Sequence, residues 1–118
     1  MRHMYKLTKY GLNGGYINNF STFEKRMSRL VYQSRKRGIL ENCLMLGQFA
    51  ERNLKEMSND DIVEYERLLE ENDWDIYYWI VGERKVPNEF ERVIGKIRTS
   101  VEEGKNKMKE THSQIKTD

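Results

Sequence analysis

One stretch of the chain does most to set its fold: residues 39–50, Ile-Leu-Glu-Asn-Cys-Leu-Met-Leu-Gly-Gln-Phe-Ala. The predicted helix that begins here extends to Met57. Its apolar residues cover almost the whole circumference of a helix, and this pattern is typical of a helix that is buried on all sides. Gly47 lies within it at a cost of about 1 kcal/mol relative to Ala, and we expect it to let a neighbouring helix approach closely. The sequence therefore predicts a central helix against which the others pack.

The helix before this stretch is predicted from a regular apolar pattern. Its members recur at helical spacing and share one face: Phe23, Met27, Leu30, Val31 and Ser34. We expect Gly38 to end this helix, because glycine readily adopts the positive φ found at helix ends.

Three further helices are predicted downstream. Ser58 is a helix-start residue, and Asn72 restarts the chain before a short aromatic helix from Trp74 to Val81 that Gly82 ends. A last helix begins near Pro87 and carries a regular apolar stripe, namely Phe90, Val93, Ile94, Ile97 and Val101.

A length of 118 residues accommodates one domain, and 37% hydrophobic residues supply one modest core. We therefore predict an all-α, compact five-helix bundle over residues 23–103, with flexible N- and C-terminal tails. Residues 104–118 form a polar tail that is expected to fray. Residues 1–22 contain three Lys/Arg and no acid, and are predicted to be a flexible leader. This leader fits a mitochondrial import sequence, or in residues 1–4 a remnant of cloning.

The composition also excludes several classes of function. No apolar run approaches the roughly 20 residues that span a bilayer, so the sequence predicts no membrane insertion. The one cysteine, Cys43, allows neither an internal disulfide nor a cysteine-based zinc site, and this favours a reducing compartment. The two histidines, His3 and His112, lie near the chain ends. We therefore predict no metal site, no catalytic residue and no enzyme.

The net charge of +2 conceals a strong segregation of charge along the chain. Residues 1–40 carry nine Lys/Arg and one acid, whereas residues 41–83 carry three Lys/Arg and twelve acids. Such a pattern suits recognition of a protein with matching charges, and equally suits a surface that pairs its charges internally. The basic run Arg35-Lys36-Arg37 beside Tyr32 suggests an alternative, a small basic helical domain that binds nucleic acid. The acids of residues 41–83 would repel such a polyanion.

The junction of the first two helices is the most informative segment. If Gly38 breaks the helix, Arg37 and Glu41 project outward from a rigid corner, beside backbone that a partner can approach closely. Arginine is suited to bidentate recognition of carboxylate or carbonyl groups. From the residues alone, a functional corner and a structural corner are both open.

This segment resembles the succinate dehydrogenase assembly factor 2 family, the flavinylation factors of complex II. The family signature Arg-Gly-x-x-Glu matches Arg37, Gly38 and Glu41 within residues 32–50. A second signature, Asp-x-Asp-(Ile/Leu)-(Tyr/Phe)-x-Trp, matches residues 73–79. The similarity covers roughly residues 24–97, and the two blocks at this spacing are highly specific.

The resemblance implies an assembly chaperone that binds the flavoprotein subunit of succinate dehydrogenase and promotes covalent attachment of FAD to it. It further implies that no cofactor is bound stably, since the flavin is attached to the partner. The corner Arg37, Gly38 and Glu41 would contact the partner, with four neighbours alongside: Tyr32, Ser34, Arg35 and Lys36. Asp73, Asp75 and Trp79 would support that corner or pack the core.

Three expectations complete the sequence analysis. The resemblance to the eukaryotic members of the family, with an acid-free leader ahead of the first helix, implies a mitochondrial matrix protein, with the bacterial cytoplasm as the alternative location. The free protein is expected to be a monomer. No glycine loop that could cradle phosphate is visible, so a third alternative, a flavin-binding protein or a ligase-like enzyme that acts directly on FAD, is disfavoured.

Overall fold

The structure, a computed structural model, describes residues 21–117, with side chains described for residues 21–109. Over this range the chain forms five α-helices, two short 3₁₀ turns and no strand, which confirms the predicted all-α five-helix fold. None of the helices in residues 21–117 is long and apolar enough to cross a membrane. The helices are α1 (Thr22–Arg35), α2 (Leu40–Asn53), α3 (Asn59–Leu68), α4 (Asp73–Val81) and α5 (Glu91–Thr117), and the turns are Leu54–Glu56 and Asn88–Phe90.

Local sequence signals account for several of these helix boundaries. The side chain of Ser58 accepts a hydrogen bond from the backbone N–H of Asp61, and that of Asn72 accepts one from Trp74. Each satisfies a donor that the first turn of a helix leaves unpaired. Gly82 ends α4 with a φ of 87°, in the left-handed region that favours glycine. The predicted starts of α3 and α4 and the predicted end of α4 are therefore confirmed.

The hydrophobic core lies between α2 and α5, and the other three helices close it. The rings of Phe49 and Tyr65 lie 5.3 Å apart, and those of Trp79 and Phe90 lie 5.6 Å apart. Trp79 is buried, so its predicted place in the core is confirmed. Gly47 faces α1, where an added Cβ would lie 3.1 Å from the side chain of Arg35. This confirms that Gly47 permits close packing of the two helices.

Two features of α2 and α5 differ from the expectation. Leu40 and Leu44 are exposed, so α2 is not buried on all sides, because no other helix of residues 21–117 covers that face. In addition, α5 does not end near Gly104 but continues to Thr117. Residues 105–109 are exposed and polar apart from one Met, and they contain no proline that would stop the helix. The predicted leader, residues 1–22, lies outside the described residues except for its last two.

One polar contact is enclosed by this core. Ser34 on α1 is fully buried, and its hydroxyl donates a hydrogen bond of 2.7 Å to the carbonyl of Leu30. The hydroxyls of Ser34 and Tyr65 lie 2.5 Å apart, and that of Tyr65 also lies 3.4 Å from the carbonyl of Leu46. Burial raises the pKa of Tyr65, so its hydroxyl stays protonated at neutral pH. The contact joins α1, α2 and α3 at a single point.

Replacing Tyr65 with Phe keeps the ring and removes this contact. We expect the free energy of unfolding to fall by about 1 kcal/mol, the usual net value of one buried hydrogen bond. Urea denaturation followed by circular dichroism measures the change. Tyr78→Phe is the matched control, because the hydroxyl of Tyr78 makes no hydrogen bond within residues 21–109, and it should change stability by less than about 0.5 kcal/mol. Equal stability of both variants would contradict the role of Tyr65.

Candidate protein-docking corner

The candidate site is the turn between α1 and α2, and we use "the corner" for residues 37–41. The helix α1 ends at Arg35, α2 begins at Leu40, and the first turn of α4 lies against the connection between them. Residue Asp73 at the start of α4 makes this contact. The break in the helix between residues 35 and 40 was predicted and is confirmed.

The carboxylate of Asp73 organises the corner. Its Oδ2 accepts a hydrogen bond of 2.8 Å from the backbone N–H of Gly38. Its Oδ1 accepts one of 2.7 Å from Nε of Arg37 and one of 3.2 Å from Nδ2 of Asn42. Asn42 also donates to the backbone carbonyl of Asp73, at 2.8 Å. A single side chain on α4 therefore fixes both the turn and the first turn of α2.

Arg37 points inward, which corrects the expectation that it projects toward a partner. Its side chain is only 10% exposed. Besides the bond to Asp73, its guanidinium donates to the carbonyls of Leu69 at 2.8 Å and Glu71 at 3.3 Å. These carbonyls follow the end of α3, where the last turn of a helix leaves acceptors without partners. The guanidinium of an arginine has five N–H donors, enough to bond to both carbonyls as well as to Asp73. Arg37 is therefore a structural clamp between the corner and the α3–α4 connection.

Gly38 is required for a reason other than the predicted one. Within residues 21–117 only Gly82 has a positive φ, so Gly38 is not strained. Instead, a Cβ built on Gly38 would lie 3.1 Å from Oδ2 of Asp73, the atom to which its own N–H donates. The carboxylate is held by three groups and has little freedom to move aside. A glycine is needed because the two segments approach so closely.

This close approach predicts that Gly38→Ala lowers the free energy of unfolding by about 1 kcal/mol, as overpacking of a tight contact does. Gly95→Ala is the matched control, because Gly95 is an exposed position in α5 with no atom within 4 Å of an added Cβ. That substitution should raise stability by up to about 1 kcal/mol through helix propensity. Chemical denaturation of both variants checks the pair. A Gly38→Ala variant as stable as the wild type would mean that the contact relaxes without cost.

The corner also makes the stability of the protein sensitive to acid. Burial alone would raise the pKa of the Asp73 carboxyl, but the hydrogen bonds from Gly38, Arg37 and Asn42 outweigh burial and hold that pKa below its ordinary value. A carboxyl whose pKa is lower in the folded than in the unfolded state stabilises the fold above the unfolded-state pKa, about 3.9 for Asp. This contribution is lost as the pH falls through the folded-state pKa.

We therefore expect Asp73→Asn to be less stable than the wild type at pH 7 by about 1–3 kcal/mol, since Arg37 loses its charged partner. The difference should shrink steadily as the pH falls from about 5 towards 3. Urea denaturation of both proteins at several pH values measures it. Comparison with the variant is necessary because the pKa of Glu66, beside Arg26 and Arg29, is also lowered. A difference that does not change with pH would contradict the assignment.

The remaining residues predicted for the site divide between the surface and the interior. Ser34 is buried, so it cannot contact a partner, and that prediction is corrected. Tyr32, Arg35 and Lys36 are exposed; Arg35 forms an ion pair with Glu51, and the ammonium of Lys36 lies 5.7 Å from the ring of Tyr32. Of the basic run at residues 35–37, only Lys36 thus lacks a carboxylate partner within the described residues.

Glu41 is the charged residue of the corner that faces solvent. Its side chain is exposed on the first turn of α2, and within residues 21–109 it takes part in no hydrogen bond or ion pair. Because Arg37 is neutralised by Asp73, the charge that the corner presents to its surroundings is negative. The predicted outward projection is confirmed for Glu41 and wrong for Arg37.

The three predicted supporting residues have separate roles. Asp73 supports the corner directly, and Trp79 packs in the core. Asp75 does neither, because its carboxylate pairs with the exposed Arg84 at 2.8 Å. Sequence reasoning missed Asn42, which is buried and donates twice to Asp73. A polar residue among apolar ones in the central helix was the available signal.

This is a small helical domain without a metal-binding cluster in its described residues, and its site is a braced turn with an outward carboxylate. A family model described as "Flavinator of succinate dehydrogenase" matches residues 28–101, which include the corner and most of the core. The chain belongs to this family.

Similar proteins carry matching names. "Succinate dehydrogenase assembly factor 2, mitochondrial" of Candida glabrata is 52% identical over 64 residues, 54% of this chain and 42% of that protein. The protein of the same name from Kluyveromyces lactis is 57% identical over 58 residues, 49% of this chain and 36% of its own length. Assembly factor 2-B of Drosophila mojavensis is 46% identical over 76 residues, 63% and 48% of the two chains.

These comparisons confirm the resemblance found in the sequence. The family is one of assembly factors and not of catalysts, which agrees with the prediction that the chain is not an enzyme. The relatives are named mitochondrial. The chain spans less than half the length of these relatives.

Proposed function

We propose that this protein binds the flavoprotein subunit of succinate dehydrogenase and promotes the covalent attachment of FAD to it. The family description and the names of the relatives support an assembly role. The observation that carries the proposal is the exposed carboxylate of Glu41, which has no hydrogen-bond or ion-pair partner among residues 21–109 and lies on a turn that Asp73 and Arg37 hold rigid. An acid in the first turn of a helix is favoured by the helix dipole, but no group among residues 21–109 bonds to the oxygens of this carboxylate, so they are available to a partner.

The protein acts on the partner's conformation and supplies no reacting group. Attachment of a flavin requires the accepting side chain and the flavin ring to meet in a reactive geometry, and holding that geometry can lower a barrier by several kcal/mol. A rigid surface that binds one conformation of the subunit more tightly than the others favours that conformation. In this proposal the protein holds no FAD stably, works as a monomer and resides in the mitochondrial matrix.

The nucleic-acid alternative has less support. Phosphate binding needs several free cations on one face. In this protein Arg35 pairs with Glu51, Arg37 is turned inward, and Arg26 and Arg29 both pair with Glu66. Three of the four basic residues of α1 are therefore paired with acids of the same domain.

A cell lacking its own assembly factor tests the proposal. Expression of the wild-type chain should restore covalent flavin in the flavoprotein subunit, measured as flavin fluorescence of that subunit in a denaturing gel. Glu41→Ala should give a clearly lower signal at equal protein level, because the carboxylate that meets the partner is gone. Glu89→Ala is the matched control, since Glu89 is also exposed and unpaired within the described residues, and it should restore the full signal.

The two ways of failing are distinct in this experiment. If the wild type restores no covalent flavin, the proposed function is wrong. If Glu41→Ala restores as much as the wild type, the function stands and the corner is not the contact that carries it.

A further inference from the structure

More than half of the large hydrophobic side chains that are exposed among residues 21–109 lie on helix ends next to the corner. Seven such residues are exposed among those whose side chains are described. Tyr32 lies near the end of α1, Leu40 and Leu44 lie in the first two turns of α2, and Trp74 lies in the first turn of α4. Four of the seven therefore lie on the three helix ends that meet around the corner. Exposed apolar residues that gather in this way mark interaction surfaces.

Leu40 and Leu44 form a stripe along α2 that the fold does not use. Leu40 is 70% exposed and Leu44 is 55% exposed. They lie one turn apart, and successive helical residues are rotated by about 100°, so they share one face with Glu41 beside them. The opposite face of α2 carries Asn42, Leu46 and Phe49, which are buried. The two leucines thus add nothing to the core and leave apolar area in water.

Trp74 is exposed but held in position. It is 56% exposed, and its ring stacks on that of Tyr78 at 6.0 Å with an interplanar angle of 29°. The guanidinium of Arg84 stacks in turn on the ring of Tyr78, 4.6 Å from its centroid. A side chain that is already ordered loses little entropy when it binds, and tryptophan is enriched among residues that dominate binding energy.

Asp73 connects these two exposed segments. Trp74 follows Asp73 directly, and Asp73 bonds to the backbone of Gly38 and to the side chain of Asn42, which lie on either side of Leu40. The first turns of α2 and α4 are therefore fixed to each other. The apolar residues and the Glu41 carboxylate are presented together on a rigid frame.

We infer that Leu40, Leu44 and Trp74 form an apolar docking surface around Glu41, and that its occupant is the flavoprotein subunit. The inference rests on the proposed function and adds the chemistry of the contact. The matching surface of the subunit carries apolar side chains and one Lys or Arg that pairs with Glu41. A cation is required because Glu41 would otherwise be buried without a partner, and such a charge is costly. Arg37 stays within the fold and supports this surface from behind.

The test is the affinity of purified variants for the purified flavoprotein subunit, measured by biolayer interferometry. Trp74→Ala and the double variant Leu40→Ser/Leu44→Ser should each weaken binding about tenfold or more, as truncation of central interface residues does. Phe23→Ala is the matched control. Phe23 is also a large exposed hydrophobic residue, but it lies at the start of α1, about 20 Å along the helix from its corner end, and its loss should leave affinity within about twofold.

The charge of the contact is tested in the same assay. Glu41→Lys should weaken binding more than Glu41→Gln, because it places two cations together, whereas Glu89→Lys should have little effect. Circular dichroism melting of each variant establishes that it is folded; the serine variant replaces only exposed side chains and tests the surface even if Trp74→Ala is unstable.

Each outcome decides the inference. Loss of affinity confined to the variants of Leu40, Leu44, Trp74 and Glu41 supports it. If wild type binds the subunit and the folded variants bind equally well, this surface is wrong while the proposed function stands. If wild type does not bind at all, both are wrong.

Discussion

The carboxylate of Asp73 holds together parts of the chain that are 31–36 residues apart. It accepts hydrogen bonds from the backbone of Gly38 and the side chains of Arg37 and Asn42, while Arg37 extends past it to the carbonyls that follow α3. Charge-assisted hydrogen bonds of this kind are about twice as strong as neutral ones and fix geometry as well as energy. The turn between α1 and α2 is short and irregular, and it owes its shape to this contact with α4.

The same contact divides the signature Arg-Gly-x-x-Glu into an inner and an outer part. Arg37 and Gly38 face Asp73, one by donating to it and the other by leaving room for it. Glu41, one turn further on, faces solvent. A motif of three residues thus combines a structural clamp with an exposed carboxylate, which in the proposed function meets the partner. A substitution of Arg37 or Asp73 would displace the proposed docking surface although neither residue belongs to it. Stability and partner binding therefore have to be measured separately for each variant.

Much of this arrangement follows from the sequence, and the exceptions have physical causes. Helical periodicity and caps such as Ser58, Asn72 and Gly82 act locally, so five helices and most of their boundaries were predictable. The direction of Arg37 was not, because it depends on carbonyls at residues 69 and 71 that only the tertiary fold brings near. The exposure of Leu40 and Leu44 was likewise hidden, since a helix that is apolar all round does not reveal which face its neighbours leave open. The apolar pattern of α1 placed Ser34 on its buried face, whereas the family resemblance implied that Ser34 contacts the partner.

A factor with no reacting group of its own can promote a reaction only by binding one state of its partner better than another. The binding energy available for this is reduced by whatever ordering the factor itself undergoes on binding. A turn fixed by Asp73 and an indole stacked on Tyr78 are ordered in advance, so more of the contact energy remains to bias the partner. The exposed leucines point the same way, since they leave apolar surface in water and fill no space in the core. In the proposed function such a surface makes its contact with the flavoprotein subunit, and its rigidity suits the task of imposing a conformation on a larger protein.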